Sequence, residues 1–230
     1  MNDILCNSVF LGVALSIISY LIGTVLKNKF KSAVFNPLLI SIIITMIVLL
    51  VFKIDYNSYN EGAKYLSYLL TPATVCLAIP LYEQTELLKK NVKAIAAGII
   101  TGVVTSMVCV ALMALMFGLI HEEYVTLLPK SITTAIGMGV SEELGGYVNI
   151  TVAVIIITGV LGNILAELVC KLFRIEEPVA KGIAIGTSAH AVGTAKAIEM
   201  GEIEGAMSGL SIAVAGLLTV IASSVFAHII

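Results

Sequence analysis

Six charge-free stretches, 4–26, 32–52, 65–82, 94–120, 144–166 and 205–230, alternate along the chain with short clusters of charge. Five of them reach the ~20 residues that a helix needs to cross ~30 Å of hydrocarbon, and 65–82 falls just short. Lipid offers no water to backbone polar groups, so unbroken helix is the default for such stretches. The pattern predicts an all-α polytopic membrane protein, a single domain over 1–230, with about 7–8 membrane segments.

Two regions interrupt the pattern. Residues 178–209 are rich in Gly, Ala, Ser and Thr and also hold His190, Lys196 and Glu199. Residues 125–146 carry an apolar part too short for a straight crossing, with glycine pairs at Gly137/Gly139 and Gly145/Gly146. Non-helical polar backbone at membrane depth is tolerated where it is buried in protein or lines a wet cavity. Both regions are therefore expected to be broken or re-entrant elements.

Charge orders the topology. Lys27, Lys29 and Lys31 follow the first span, Lys89, Lys90 and Lys93 precede 94–120, and Lys171, Arg174 and Lys181 follow 144–166. The loop at His121-Glu122-Glu123 has no Lys or Arg. The positive-inside rule puts the three basic loops in the cytoplasm and residues 121–123 outside. Segment 125–143 must then enter and leave on the outer side, as a hairpin. A weak echo also links the halves 1–120 and 125–230. In each, a Pro/Thr- or Gly/Ser-broken segment (66–86 and 183–204) precedes a long glycine-containing helix. Broken segments at corresponding positions of two halves are a pointer to a transporter binding site.

Composition narrows the function. The chain is 59% hydrophobic and 12% charged, with a mean hydropathy of +1.05; soluble domains carry roughly twice that charge. The net charge of −2 says nothing about nucleic acid, but no basic patch argues for it, and no nucleic-acid partner is expected. Cys6, Cys76, Cys109 and Cys170 show no metal spacing and read as small buried hydrophobes. No metal or other cofactor is expected. The first span lacks a basic n-region and a cleavage site, and reads as a membrane helix rather than a signal peptide.

Three constellations could hold a polar solute. In Leu70-Thr71-Pro72-Ala73-Thr74, Pro72 disturbs the preceding helical turn, and Thr71 and Thr74 offer hydroxyls; a packed proline kink would look the same. In Pro129-Lys130-Ser131-Ile132-Thr133-Thr134, the hydroxyls of Ser131, Thr133 and Thr134 suit a helix start that attracts anions, and Lys130 adds a positive charge. Glu142 and Glu143 could bind a coupling proton, or simply sit among headgroups. In the 178–209 stretch, Thr187, Ser188 and Thr194 offer hydroxyls, His190 could titrate near neutral pH and so bind solute or carry the coupling proton, and Lys196 could pair with an anion. Polar residues at membrane depth are usually functional. Asn163 reads as a packing residue. No GxSxG or HExxH is present, so no catalytic residue is assigned.

The run from Leu128 through Lys130-Ser131 and Gly137-Met138-Gly139 to Glu142-Glu143-Leu144-Gly145-Gly146 closely resembles the LrgB/CidB family. So do Thr158-Gly159-Val160-Leu161-Gly162-Asn163, Pro178–Gly209 and Leu70–Leu81, and the resemblance covers roughly residues 36–225. It implies a multi-pass protein of the cytoplasmic membrane that modulates murein hydrolase activity and autolysis beside a small holin-like partner of the LrgA/CidA type. Plant relatives resemble plastidial glycolate/glycerate carriers, and some bacterial relatives are linked to pyruvate. The expectation is a secondary carrier of small monocarboxylates that self-associates. The alternative is an antiholin-like interaction protein that tunes a partner's pore and transports nothing itself.

Overall fold

The structure, a computed structural model, describes residues 10–30, 35–69, 72, 76 and 78–230. Thr71 and Thr74, and with them the core of the expected proline-broken element, lie outside the described residues. The chain divides into two compact units, Met1–Cys76 and Leu77–Ile230.

The first unit holds α1 (Phe10–Phe30), α2 (Pro37–Val51) and α3 (Tyr56–Ser67). Asn36 caps α2: its side chain accepts from the N–H groups of Leu38 and Leu39, and Pro37 fills the first helical position, where no N–H partner is needed. Small residues let α1 approach both partners. A Cβ on Gly12 would strike Tyr59 O on α3, and one on Gly23 would come within 2.7 Å of Pro37 O.

The second unit holds α4 (Ala78–Glu83), α5 (Thr85–Phe117), α6 (His121–Leu127), α7 (Thr134–Glu143), α8 (Val148–Leu172), α9 (Pro178–Met200) and α10 (Glu202–Phe226), closed by a 3-10 turn at Ala227–Ile229. Gly118, at φ 64°, ends α5 in the left-handed conformation that suits glycine. Among the described residues, α1, α5, α8 and α10 are long and apolar enough to cross a membrane, and α2 is a shorter apolar helix. With the interrupted elements, this is roughly the expected segment count.

The interrupted elements are two hairpins that enter the second unit from opposite ends. Tyr124 Oη donates to Phe226 O at 2.9 Å, and His121 Nδ1 lies 2.7 Å from Ile230 O, so α6 starts where α10 finishes. From this acidic end α6 runs inward, the chain turns at 128–133, and α7 runs back. Thr151 Oγ1, near the start of α8, donates to Thr126 O at 3.0 Å and lies 2.7 Å from Ser141 Oγ, which ties both arms to the same level. Segment 125–146 is thus two short helices and not one crossing helix.

Helix α9 is the second hairpin, and it enters from the basic end. It bends back at His190, where φ is 42° and ψ is −141°. Ile185 and Ala197, twelve positions apart, share one core cluster with Ala166; in a straight helix they would lie ~18 Å apart. Both arms lie on the first half of α10. A Cβ on Gly186 would come within 2.5 Å of Ser208 O, and one on Gly205 within 2.8 Å of Ile198 Cγ1. Lys196 Nζ then reaches Glu167 Oε1, near the basic end of α8, at 2.6 Å.

The two turns meet at one level of α8. A Cβ on Gly137 would collide with Ile155 Cδ1 and lie 3.5 Å from Pro129 O, while His190 Nε2 sits 3.0 Å from Ile155 O. Ile155 is seven residues into α8, ~10 Å along its axis. The apolar core of this unit includes Ile99, Met107, Tyr124, Leu128 and Met207, all fully buried, and Ile155 is fully buried as well. Outward faces carry Leu112, Met116, Phe117, Ile157, Leu168, Leu217 and Ile221 in exposed positions, as lipid contact requires.

Candidate functional site

Helix α5 presents one face to the first arm of α9. Asn91, Ala94, Gly98, Thr101, Gly102, Thr105 and Cys109 recur at three- and four-residue intervals, so they form a single stripe. Opposite them, α9 presents Val179, Ala180, Ile183, Ala184, Thr187 and Ser188. These residues, with Ser106, Lys130, Ser131 and Glu177, line an open cavity of about 870 Å³. Small residues keep the two helices close. A Cβ on Gly102 would lie 2.8 Å from Thr187 Oγ1.

The charge in the cavity is uneven. Glu177 precedes α9 at the basic end, and Lys130 sits at the turn of the first hairpin, beside Cys109. Lys130 Nζ donates to Ser131 Oγ at 2.9 Å, and Ser131 Oγ lies 3.2 Å from Ser106 Oγ on α5. Among the described residues Lys130 has no carboxylate within ion-pair distance. Six hydroxyls, those of Thr101, Thr105, Ser106, Ser131, Thr187 and Ser188, line the same space. Thr187 and Ser188 each donate to a carbonyl one turn back, at 2.8 and 2.6 Å, and keep acceptor capacity toward the cavity.

The expected site residues separate into groups. Lys130, Ser131, Thr187 and Ser188 come together in the cavity. Thr133 is the N-cap of α7 without a side-chain cap bond, and Thr134 is the first helical residue; both lie next to the turn but outside the lining. His190 faces α8, and Thr194 Oγ1 donates to His190 O at 3.0 Å and lies 2.7 Å from Ser208 Oγ on α10. Lys196 is held by Glu167 at 2.6 Å and Glu199 at 3.3 Å, away from the cavity. Glu142 and Glu143 are exposed at the end of α7. Asn163 Nδ2 donates to Val192 O at 2.7 Å, which fastens the return arm of α9, in keeping with a packing role.

Sequence reasoning did not single out the α5 stripe of Asn91, Thr101, Thr105 and Ser106. The signal was present as Gly98-x-x-Thr101-Gly102-x-x-Thr105-Ser106, a small and polar face inside an apolar span. Glu204, 8% exposed, was also passed over; it lies beside Gly201 where α10 begins. Among the described residues there is no group of His, Cys, Asp and Glu able to hold a metal ion.

The sequence profile of the LrgB-like family matches residues 16–229. The holin-like protein CidB of Staphylococcus aureus (strain N315) is 40% identical over 225 residues, which span 98% of this chain and 96% of that protein. The antiholin-like protein LrgB of Bacillus cereus (strain B4264) is 38% identical over 218 residues, 94% of this chain and 95% of that protein. The protein of the same name from Bacillus mycoides (strain KBAB4) matches at 38% over the same length. No solved structure matches. Family profile, full-length relatives and apolar helices agree, and the chain is a polytopic membrane protein that belongs to the LrgB-like family.

Proposed function

We propose that the protein is a secondary carrier of small monocarboxylates, of the pyruvate, glycolate or glycerate type, in the cytoplasmic membrane. Lys130 is the observation that carries this reading. A cation at the buried turn of a hairpin, with a hydroxyl as its only hydrogen-bonding neighbour among the described residues, is expensive to hold at membrane depth. A single carboxylate entering the cavity would complete its coordination. The hydroxyls of Ser131, Thr187, Ser188, Thr105 and Ser106 suit the remaining oxygens of a hydroxy- or oxo-acid. The first N–H groups of α7, beside Thr133 and Thr134, would add partial positive charge.

Two hairpins from opposite ends line this one cavity, so movement of either turn would open it to one side at a time. Glu142 and Glu143, exposed at the acidic end, are the carboxylates placed to take a coupling proton if transport is not by exchange. Effects on murein hydrolase activity would follow from altered carboxylate flux. The proposal includes self-association and a small holin-like partner, and assigns no catalytic residue.

The test is uptake of labelled pyruvate and glycolate by liposomes that contain only the purified protein. Lys130→Gln should raise the half-saturation concentration roughly 10- to 100-fold, the value of one charge-assisted hydrogen bond. Uptake no faster than in empty liposomes, or an unchanged half-saturation in Lys130→Gln, would defeat the reading. A protein that fails here but alters the leak of a co-reconstituted holin-like partner would instead support the antiholin-like alternative.

A further inference from the structure

His190 has a conformation that glycine ordinarily occupies, because a β-carbon crowds the backbone at positive φ. Glycines lie nearby at 186 and 193, yet the turn itself carries histidine. The imidazole supplies a bond that glycine lacks the atoms to make. Its Nε2 lies 3.0 Å from Ile155 O, and since a carbonyl only accepts, Nε2 is the donor. The ring is packed against Gly159, where a Cβ would come within 2.7 Å of Cε1, and the residue is 3% exposed. The carbonyl of the turn is also held, by Thr194 Oγ1.

Ring and cavity lie on different sides of the arm. Thr187 and Ser188, just before the turn, line the cavity, whereas His190 does not. A helix advances 100° per residue, so even a one-residue slip of the arm would carry one of the two neighbouring hydroxyls off the cavity wall and displace the other.

We propose that His190 is a positioning residue. Its bond to Ile155 O fixes the turn and the rotational setting of the first arm of α9, so that Thr187 and Ser188 face the cavity. The ring itself neither touches solute nor ferries a proton. The consequences for transport rest on the carrier reading; the geometric content does not.

Labelling separates the two. In a protein whose native cysteines are replaced, Ser188→Cys places a thiol on the cavity wall, and its rate of reaction with a water-soluble maleimide reports the setting of the arm. His190→Leu and His190→Gly should each slow labelling roughly tenfold, the factor that loss of one hydrogen bond carries. His190→Gln, whose amide can donate to the same carbonyl, should stay near the parent rate. Glycine suits the backbone at this turn, so His190→Gly decides the matter if His190→Leu melts early. In liposomes the same two variants should raise the half-saturation for pyruvate, while His190→Gln stays close to wild type. Labelling at the parent rate in His190→Gly would overturn the proposal. So would a His190→Gln protein that loses uptake driven by a pH gradient but keeps exchange, since that is the signature of a proton carrier. If the parent protein takes up no carboxylate, the carrier reading fails and the labelling still judges His190.

Discussion

Replacing Thr194 by valine preserves the shape of the side chain and removes its hydroxyl. Thr194 is 1% exposed and Ser208 is fully buried, with their hydroxyl oxygens 2.7 Å apart. The same Thr194 hydroxyl donates to His190 O. In Thr194→Val the Ser208 hydroxyl loses this partner, and a buried polar group left unmet costs ~1–3 kcal/mol. Hydrogen bonds within membrane proteins are worth only ~0.6 kcal/mol on average in double-mutant cycles, with a maximum near ~1.7. Stranding Ser208, rather than loss of the bond itself, therefore sets the size of the effect. Thr194→Val should lose ~1–3 kcal/mol, and Ser208→Ala, which leaves Thr194 bonded to His190 O, about 1 kcal/mol. The double variant should lose less than the sum by ~0.5–1.5 kcal/mol, because no hydroxyl is then stranded. The assay is reversible unfolding of the purified protein in mixed micelles, titrated with a denaturing detergent. Losses that add to within ~0.3 kcal/mol would refute the argument that this pair pins the return arm of α9 to α10.

Two other predictions test the same hairpin. A Cβ on Gly162 would collide with Ala189 Cβ just before the turn, so Gly162→Ala should push the arm from α8 and destabilise by ~1–3 kcal/mol, seen as a lower melting temperature; an unchanged melting temperature would mean the contact is slack. Lys196→Met removes ion pairs at 2.6 and 3.3 Å whose carboxylates are about half exposed, so the loss should stay below ~1 kcal/mol and shrink further in high salt. A larger, salt-independent loss would show that this cluster does more than fasten the end of the hairpin.

The spans were legible because transfer into lipid depends on local composition, and a run of apolar residues carries that signal by itself. The hairpin of α6 and α7 was legible for a related reason. Its apolar part was too short to cross, and the positive-inside expectation for the Lys and Arg that follow α8 called for a hairpin there. The exposed side chains of α5, α8 and α10 follow from the same local rule.

The point at which α9 turns was not legible. Residues 178–200 offer Gly182, Gly186 and Gly193 as candidate breaks, and the break falls at His190 because its ring finds Ile155 O, 35 positions away. Lys196 looked like an anion ligand until folding brought Glu167 to it from another helix. The hydroxyls of Thr101, Thr105 and Ser106 raised no expectation in the sequence; the first arm of α9 and Lys130, brought beside them, make them one wall of an open cavity. Which polar groups are satisfied, and which are left to meet a solute, depends on contacts between distant segments. The sequence alone determined which segments enter the membrane; the tertiary structure decided which of their polar residues share one space.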